Sequence, residues 1–396
     1  MNKISKTHWS IIALLSSLVS AGIHFYLTTL HLKLKFGIAT DSVCNIDSKF
    51  NCDAVSVSNY STLLSIPIAT WGFSTHVVLS MIFIITLIGL SENIQRIYRS
   101  AFILSLFILT SSVIMGAIST FFLGTYCLFC IALYILSILT FVACWNLNRE
   151  NKDNLSDDLK SFFTSKKWIA ISVFIGIPAL SYTVNKSLLN NYGAGEIKLI
   201  VNESLYYWNT EKVIPFNPNQ GLILQTHKNS PVKMTIVEFA DYLCPHCKHA
   251  APTLSAFSQT RPGVQLIFKA FPLDGSCNAA IPQKGDGLRC KLAYFSHCAE
   301  KISGAGWSTH KYIFDNQEKW SSSEFEKQLS NAATLLSLNF SDLKICMSSE
   351  ETHQSILNQA AEGAAGNIKG TPSIFVNGKI LNRGQFMPVL DGVYNL

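Results

Sequence analysis

Charged residues are scarce in this chain, and the basic ones form no patch. Asp, Glu, Lys and Arg make up 14% of the 396 residues, whereas hydrophobic residues make up 48%. A net charge of +6 would suit nucleic-acid binding only if the basic side chains clustered, but they are scattered or flank apolar runs. We therefore expect no nucleic-acid partner. Internal repeats are absent from the sequence as well, which excludes a repeat architecture.

Apolar runs dominate the first half of the chain. Five of them are long enough to cross about 30 Å of hydrocarbon as helices, and they cover residues 9–30, 68–90, 101–123, 127–147 and 168–188. The first resembles a signal peptide, but the spans that follow it favour an uncleaved anchor. Basic residues mark the cytoplasmic side: Lys3 and Lys6, Arg96 and Arg99, and the Lys-rich segment 151–167.

These features predict a multi-pass α-helical membrane bundle followed by a soluble domain. Residues 1–150 form a four-span domain, 151–167 a cytoplasmic loop, 168–188 a fifth span, 189–230 a periplasmic linker, and 231–396 the soluble domain. This topology predicts a bacterial inner-membrane protein whose C-terminal domain lies in the periplasm or outside the cell.

Eleven cysteines are too many for a reducing cytosol unless they bind metal or perform redox chemistry. Six of them form three pairs that the topology places on the outer side: Cys44/Cys52, Cys127/Cys130 and Cys244/Cys247. A thiol–disulfide relay needs all its pairs in one compartment, because each pair passes two electrons on by thiolate attack on a disulfide sulfur. The arrangement therefore indicates an electron relay.

The most specific motif begins where a predicted strand, 234–240, ends. Cys244-Pro-His-Cys247 opens a helix, whose free backbone N–H groups and positive dipole end favour a thiolate at Cys244. Cys247 is then the resolving partner, and His246 adds a donor or a positive charge. Half of a zinc site is the alternative, but this domain has no second CxxC or paired histidine at zinc-finger spacing. We therefore predict no metal site.

The segment from Glu238 to Cys247, together with Thr371-Pro372, resembles the DsbA family of thioredoxin-fold oxidases. The resemblance implies an α/β thioredoxin fold with a helical insertion between strand 264–270 and Gly370. It also implies that Pro372 is cis and faces the CxxC, that the Thr371 backbone pairs with a substrate strand, and that Glu238 is a buried proton acceptor.

Four further cysteines lie in the predicted insertion, and none forms a CxxC. An even number in an oxidising compartment suggests two structural bridges. Three pairings are possible, and we predict Cys277–Cys290 with Cys298–Cys346. Cys144, toward the inner end of the fourth span, is expected to be a small apolar filler.

The membrane half resembles the vitamin K epoxide reductase family over residues 9–147. The resemblance rests on a loop with seven residues between its two cysteines, on a CxxC at the fourth span, and on the residues Asp53, Ser58, Tyr60, Ile66-Pro67 and Trp71-Gly72. It implies that Cys130 exchanges electrons with a quinone, ubiquinone or menaquinone, in a pocket lined by Ser58 and Tyr134. It further implies that Cys127 exchanges with Cys52, and Cys44 with the soluble domain.

The combined prediction is a quinone-dependent protein-disulfide oxidoreductase that oxidises reduced exported proteins. Three alternatives remain open at this point. One is a disulfide isomerase or reductase that keeps Cys244 as a free thiol. Another is a membrane-tethered binding or chaperone module with structural or metal-bound cysteines. The third is reduction of vitamin K epoxide.

Overall fold

The computed structural model describes residues 5–36, 44, 50–58, 60–90, 94–149, 172–192, 194–227 and 230–396. The chain divides into two compact units, with the boundary between Ala194 and Gly195. The first unit is a bundle of apolar helices, and the second is an α/β domain. The predicted fold class is therefore confirmed.

Four helices of the first unit are long and apolar enough to cross a membrane. Inside lipid the helix satisfies every backbone hydrogen bond within its own segment, which is why these apolar runs fold in this way. The first unit comprises α1 (Lys6–Lys35), α2 (Cys52–Ser56), the hairpin of β1 (Thr62–Leu63) and β2 (Ile66–Pro67), α3 (Ile68–Leu87), α4 (Ile94–Ile118) with a π-helical turn (Ser119–Leu123), α5 (Leu128–Asn148), a second π-helical turn (Ser172–Gly176), and α6 (Ile177–Asn191).

Hydroxyl pairs join the helices of this bundle. Ser16 of α1 lies 2.8 Å from Thr140 of α5, and Thr28 of α1 lies 3.3 Å from Thr70 of α3. Such small polar residues let helix backbones approach closely, and they hydrogen-bond across interfaces that have no hydrophobic driving force in lipid. These hydrogen-bonded pairs fix the position of α1 along the axes of α3 and α5.

The predicted cytoplasmic loop 151–167 and the start of the predicted fifth span lie outside the described residues. The described remainder of that span is helical through α6. The four candidate membrane spans among the described helices do not include α6.

The second unit is built on a five-stranded sheet in the order β3–β5–β4–β6–β7. β4 and β5 are parallel, and the other neighbouring pairs are antiparallel. Its elements are α7 (Ala194–Thr210), β3 (Leu222–Leu224), β4 (Met234–Ala240), α8 (Pro245–Thr260), β5 (Val264–Ala270), α9 (Leu288–Ser303), α10 (Gly306–Asp315), a 3₁₀ turn (Gln317–Lys319), α11 (Phe325–Leu335), α12 (Phe340–Met347), α13 (Glu350–Ala365), β6 (Ser373–Val376), β7 (Lys379–Ile380) and α14 (Met387–Tyr394).

The β6–β7 hairpin turns at Asn377-Gly378. Both residues have positive φ, 50° and 78°, as a tight turn that matches the twist of its strands requires. The helices α9 to α13 between β5 and β6 form the helical insertion that the DsbA resemblance implied. Both predicted bridges are present in it, Cys277–Cys290 and Cys298–Cys346.

The prediction of a linker over 189–230 is wrong for much of its length. α7 occupies Ala194–Thr210, and Trp208 donates from Nε1 to the Val376 carbonyl at 3.1 Å. After the helix, Ile214 N–H donates to the Gly378 carbonyl at 2.8 Å, and β3 extends the sheet. Glycine and proline near both ends of α7 obscured an apolar i, i+4, i+7 stripe on this helix, Val201, Leu205 and Trp208.

Candidate functional site: two CxxC motifs

The CxxC of the soluble unit lies where β4 passes into α8. Cys244 is the N-cap residue of α8, Pro245 follows it at the first helical position, and Cys247 lies in the first turn. Proline suits that position, because its missing N–H would have had no partner there. Cys244 is 7% exposed and Cys247 is fully buried. Only the first sulfur is therefore accessible to another molecule.

The two thiols have opposite acidities. The Cys247 thiol hydrogen-bonds to the Cys244 sulfur and, together with the backbone N–H groups of Cys247 and His246, lowers the Cys244 pKa to about 5. Burial raises the pKa of Cys247 above its ordinary value, and the hydrogen bond with Cys244 raises it further. Cys244 is consequently a thiolate at neutral pH, and Cys247 stays protonated.

The contribution of His246 differs from the prediction. Its side chain is exposed, and no hydrogen bond joins the imidazole to Cys244 within the described part of the chain. The residue contributes through its backbone N–H, which adds to the larger effect of the Cys247 thiol in lowering the Cys244 pKa. The backbone N–H groups at the helix start thus help to stabilise the Cys244 thiolate, a role that the sequence predicted for the imidazole.

Thr371 and Pro372 face the nucleophile from the strand side. The peptide bond between them is cis, and the Cys244 sulfur lies 3.3 Å from the Thr371 carbonyl oxygen, to which it donates when it is protonated. Pro372 directly precedes β6, which pairs with β4. The structure therefore brings together residues that lie 127 positions apart in the sequence.

Glu238 is a fully buried acid on the central strand β4. It is paired in register with Phe268 of β5, which belongs to the apolar cluster that contains both active-site cysteines. Within the described residues, neither carboxylate oxygen has a hydrogen-bond partner. Burial, and then the negative charge of Cys244, raise the Glu238 pKa to about 8. The group can therefore bind and release a proton near neutral pH.

Two residues that hold the active-site turn were missed in the sequence. Asp241 is buried and accepts hydrogen bonds from the N–H groups of Leu243 and Leu273, both at 2.7 Å, and from Arg289 at 2.5 Å. Gln317, from the helical insertion, donates its side-chain amide to two carbonyls of the turn, those of Tyr242 and Cys244. Asp241 adjoins the motif and could have been noticed, but nothing local marks Gln317.

In the membrane unit, Cys44 and Cys52 form a disulfide, and both cysteines are buried. Cys52 begins α2, where the Asn51 side chain accepts a hydrogen bond from Ala54 N–H at 2.9 Å. The backbone just before this helix is tied to the start of α5, because Asn51 N–H donates to the Tyr126 carbonyl at 3.0 Å. Cys52 and Cys127 each follow one of these bonded residues directly, so this hydrogen bond joins the two segments that carry them.

The second CxxC occupies the same position at a helix start as the first. Cys127 is the N-cap residue of α5, and its sulfur accepts a hydrogen bond from the Cys130 N–H at 3.2 Å. Both cysteines are unbridged. Cys127 is 2% exposed, whereas Cys130 is half-buried and faces a cavity.

That cavity has a volume of about 770 Å³ within the bundle and is walled mainly by apolar side chains. Ser58 and Tyr134, the two residues predicted to line a quinone pocket, share its wall with Cys130. Three histidines that the sequence did not single out also line it, His24, His31 and His76. A flat apolar ring with two polar oxygens fits such a lining, because polar contacts are few and the remaining surface is hydrophobic.

The two halves of the chain match two known families. Residues 11–145 match the model of the vitamin K epoxide reductase family, and residues 227–387 match a thioredoxin family model. Comparison with curated proteins gave no match.

Several solved structures resemble the C-terminal part of the chain. A thioredoxin-like oxidoreductase from Silicibacter pomeroyi is 21% identical, with 48% of this chain and 96% of that chain covered and a TM-score of 0.35. The alpha-DsbA1 of Wolbachia pipientis is 21% identical, with coverages of 46% and 92% and a TM-score of 0.35. BdbD from Bacillus subtilis is 20% identical, with coverages of 47% and 95% and a TM-score of 0.36.

Proposed function

We propose that this chain, a vitamin K epoxide reductase family domain joined to a thioredoxin-family domain, is a membrane-bound oxidase that forms disulfides in exported proteins and passes the electrons to a quinone. The basic segments that flank the spans support an inner-membrane location with the thioredoxin-like domain outside the cytoplasm.

The observation that carries the proposal is the position of Cys130. Its sulfur belongs to a CxxC at a membrane helix start, and it lines an apolar cavity large enough for a quinone ring. A structural disulfide would have no use for such a cavity, whereas a dithiol that reduces a lipid-soluble acceptor needs one. Ser58 and Tyr134 are the residues that would contact the ring beside Cys130. A bound quinone would take up two electrons and two protons from the dithiol.

The first reaction takes place at the soluble site. A thiolate of the substrate protein attacks Cys244 in the Cys244–Cys247 disulfide, and Cys247 leaves. A second substrate thiolate then attacks the mixed disulfide and releases Cys244 as a thiolate. Its low pKa makes Cys244 a good leaving group and stabilises the reduced domain, so electrons flow from substrate to enzyme.

Three residues support this exchange. The Thr371 backbone beside the cis Pro372 binds an extended segment of the substrate, since it lies next to the Cys244 sulfur at the edge of the active site. Glu238 accepts the proton of Cys247 when the domain is oxidised again, because its raised pKa of about 8 approaches that of a thiol.

The electrons then pass through the membrane unit. Cys44 attacks no substrate protein directly; its disulfide with Cys52 takes electrons from the Cys244/Cys247 dithiol. Cys52 exchanges next with Cys127, its neighbour across the backbone bridge between Asn51 and Tyr126. Oxidation of Cys127 and Cys130 to a disulfide releases two electrons and two protons, which a quinone held beside Cys130 would take up.

Quinone reduction by the purified full-length protein in detergent, supplied with a reduced substrate protein, tests the proposal. We expect quinone consumption that disappears in Cys130→Ser. Cys144→Ala is the matched control, since Cys144 is a buried cysteine of the same helix that belongs to no pair. No consumption by the intact protein, with Cys244 reduced in cells, would refute the oxidase and favour an isomerase.

A further inference from the structure

Two histidines pack against each other inside the membrane bundle, His76 buried and His24 partly buried. His24 of α1 and His76 of α3 stack with ring centroids 5.5 Å apart and an interplanar angle of 29°. His76 is 2% exposed. The Nδ1 atoms of both rings are enclosed, and among the described residues neither has a hydrogen-bond partner. A buried polar group without a partner destabilises a fold, so a ligand that supplies the partner is the simplest reason for this pair.

The bundle makes specific room for the pair. Gly72 of α3 lies directly against the His24 ring, and a Cβ at this position would overlap the imidazole. One helical turn later on the same helix stands His76. A larger residue in place of Gly72 would therefore displace the His24 ring from its present place. Because Gly72 has no side chain, the His24 ring can pack directly against the backbone of α3.

The pair lies at the depth of the reactive cysteine. Tyr26 of α1 packs its ring against Phe129 of α5, with centroids 4.9 Å apart, and Phe129 precedes Cys130. His24 is two residues from Tyr26, or about 3 Å along the helix axis. His24, His76 and Cys130 all line the same cavity. A quinone ring bound against Cys130 would therefore lie at about the same depth in the membrane as the two imidazoles.

We propose that the His24–His76 pair donates a hydrogen bond and a proton to a carbonyl oxygen of the quinone, and so determines the affinity of the cavity for the quinone ring. This inference rests on the proposed function. A neutral imidazole has one N–H donor and one acceptor nitrogen, so one ring can donate to the carbonyl oxygen of the quinone and the other can accept from the hydroxyl group of the hydroquinone. Apolar walls strengthen such a bond, since no water competes for the oxygen.

The chemistry balances without an added reactant. Oxidation of the Cys127/Cys130 dithiol breaks two S–H bonds, forms one S–S bond and yields two electrons and two protons. Reduction of the quinone to hydroquinone takes up both and forms two O–H bonds. The imidazole that gives its proton to the quinone oxygen recovers one from the dithiol, so the pair is unchanged after each turnover.

Direct binding tests this role independently of turnover. Full-length protein carrying Cys130→Ser, which cannot complete the reaction, is titrated with ubiquinone-1 and with menadione, and quenching of Trp71 in the cavity wall reports binding. We expect His76→Phe and His24→Phe each to raise the Kd about tenfold, equivalent to about 1.4 kcal/mol. The infrared band of the quinone carbonyl should also shift to higher frequency in both variants, because its hydrogen bond is lost.

Conservative and control variants make the test specific. His76→Gln keeps a hydrogen-bond donor, so in the Cys130→Ser background it should bind quinone with a Kd within about twofold of the parent value. With Cys130 intact, the same substitution should slow quinone reduction, because an amide does not pass on a proton as an imidazole does. His31→Gln is the matched control, because His31 lines the same cavity but its Nδ1 already bonds to the Ser56 carbonyl at 2.5 Å. Persistence of the Cys44–Cys52 disulfide and a monodisperse elution profile confirm that each variant is folded.

The outcomes separate the two ideas. Unchanged Kd and carbonyl frequency in both phenylalanine variants, with normal binding by the parent, would overturn the histidine inference and leave the oxidase intact. No binding of either quinone by the parent protein would overturn the proposed function, and the inference with it.

Discussion

The acidity of Cys244 depends above all on one hydrogen bond, and Cys247→Ala removes it. The Cys247 thiol is the largest cause of the lowered Cys244 pKa, which is about 5. A hydrogen bond to a charged group is worth about 1.5–3 kcal/mol, and one pKa unit corresponds to about 1.36 kcal/mol. The variant should therefore raise the Cys244 pKa by about one to two units. It should not restore the ordinary value, since the backbone N–H groups at the helix start remain.

Alkylation by iodoacetamide as a function of pH measures this pKa in the intact protein. Only the thiolate reacts, so the rate follows the ionised fraction. Mass spectrometry of the peptide that contains Cys244 separates its signal from the membrane cysteines. The parent for comparison is the fully reduced chain. His246→Ala is the second arm, and we expect it to leave the profile almost unchanged, because the exposed imidazole makes no hydrogen bond to Cys244 in the described residues.

If the midpoint of the alkylation profile stays near pH 5 in Cys247→Ala, the Cys247 thiol is not the main cause of the lowered Cys244 pKa. A rise in His246→Ala larger than that in Cys247→Ala would show that the imidazole is the principal stabilising group. His249→Ala serves as the control for mutation near the motif, since its side chain is also exposed on α8.

Three further predictions concern the relay and its support. Glu238→Gln should abolish a pH inflection near 8 in re-oxidation of the domain. A carboxyl whose pKa is raised by folding destabilises the folded state only when the pH exceeds the pKa that the group has in the unfolded chain. This variant should therefore also raise the Tm at about pH 9 and leave it unchanged near pH 4. Cys44→Ser should leave Cys244 and Cys247 trapped as thiols in cells; if acid trapping shows them oxidised, the order of the relay is wrong. Gln317→Leu should lower the free energy of unfolding of the soluble unit by about 1–3 kcal/mol, since the Tyr242 and Cys244 carbonyls lose the hydrogen bonds of the Gln317 amide, and an unchanged denaturation midpoint would contradict this.

The sequence predicted the parts of the site whose chemistry is local. A CxxC after a strand and at a helix start specifies its own geometry, and so do apolar runs that must satisfy their backbone inside lipid. The four described spans therefore agree with the prediction to within a few residues at most ends, although α4 begins seven residues earlier than the predicted 101. Helix ends depend on flanking polar residues that hydropathy does not resolve.

The sequence did not predict contacts that form only between distant elements. Gln317 reaches the carbonyl of Cys244 across 73 positions, and a glutamine in a helical insertion carries no mark of that role. His24 and His76 lie on separate apolar helices among several other polar residues, and only the packing of these helices brings the two rings together. The helix α7 was missed for a different reason, since glycines and prolines near its ends resembled a linker.

The two CxxC motifs differ in which cysteine faces outward, and this difference fits the direction of the relay. In the soluble unit the N-cap residue Cys244 is the accessible sulfur, while Cys247 is fully buried. In the membrane unit the N-cap residue Cys127 is buried, and Cys130, in the first helical turn, faces the cavity. Under the proposed function, a protein substrate would approach from solvent and reach the sulfur at the end of the helix. A quinone would approach from within the bilayer and reach a sulfur deeper along the helix, which would leave Cys127 at the outer end for exchange with Cys52. The two helix starts would thus serve an electron donor in one unit and an electron acceptor in the other, because each motif presents the cysteine on the side from which its proposed partner would arrive.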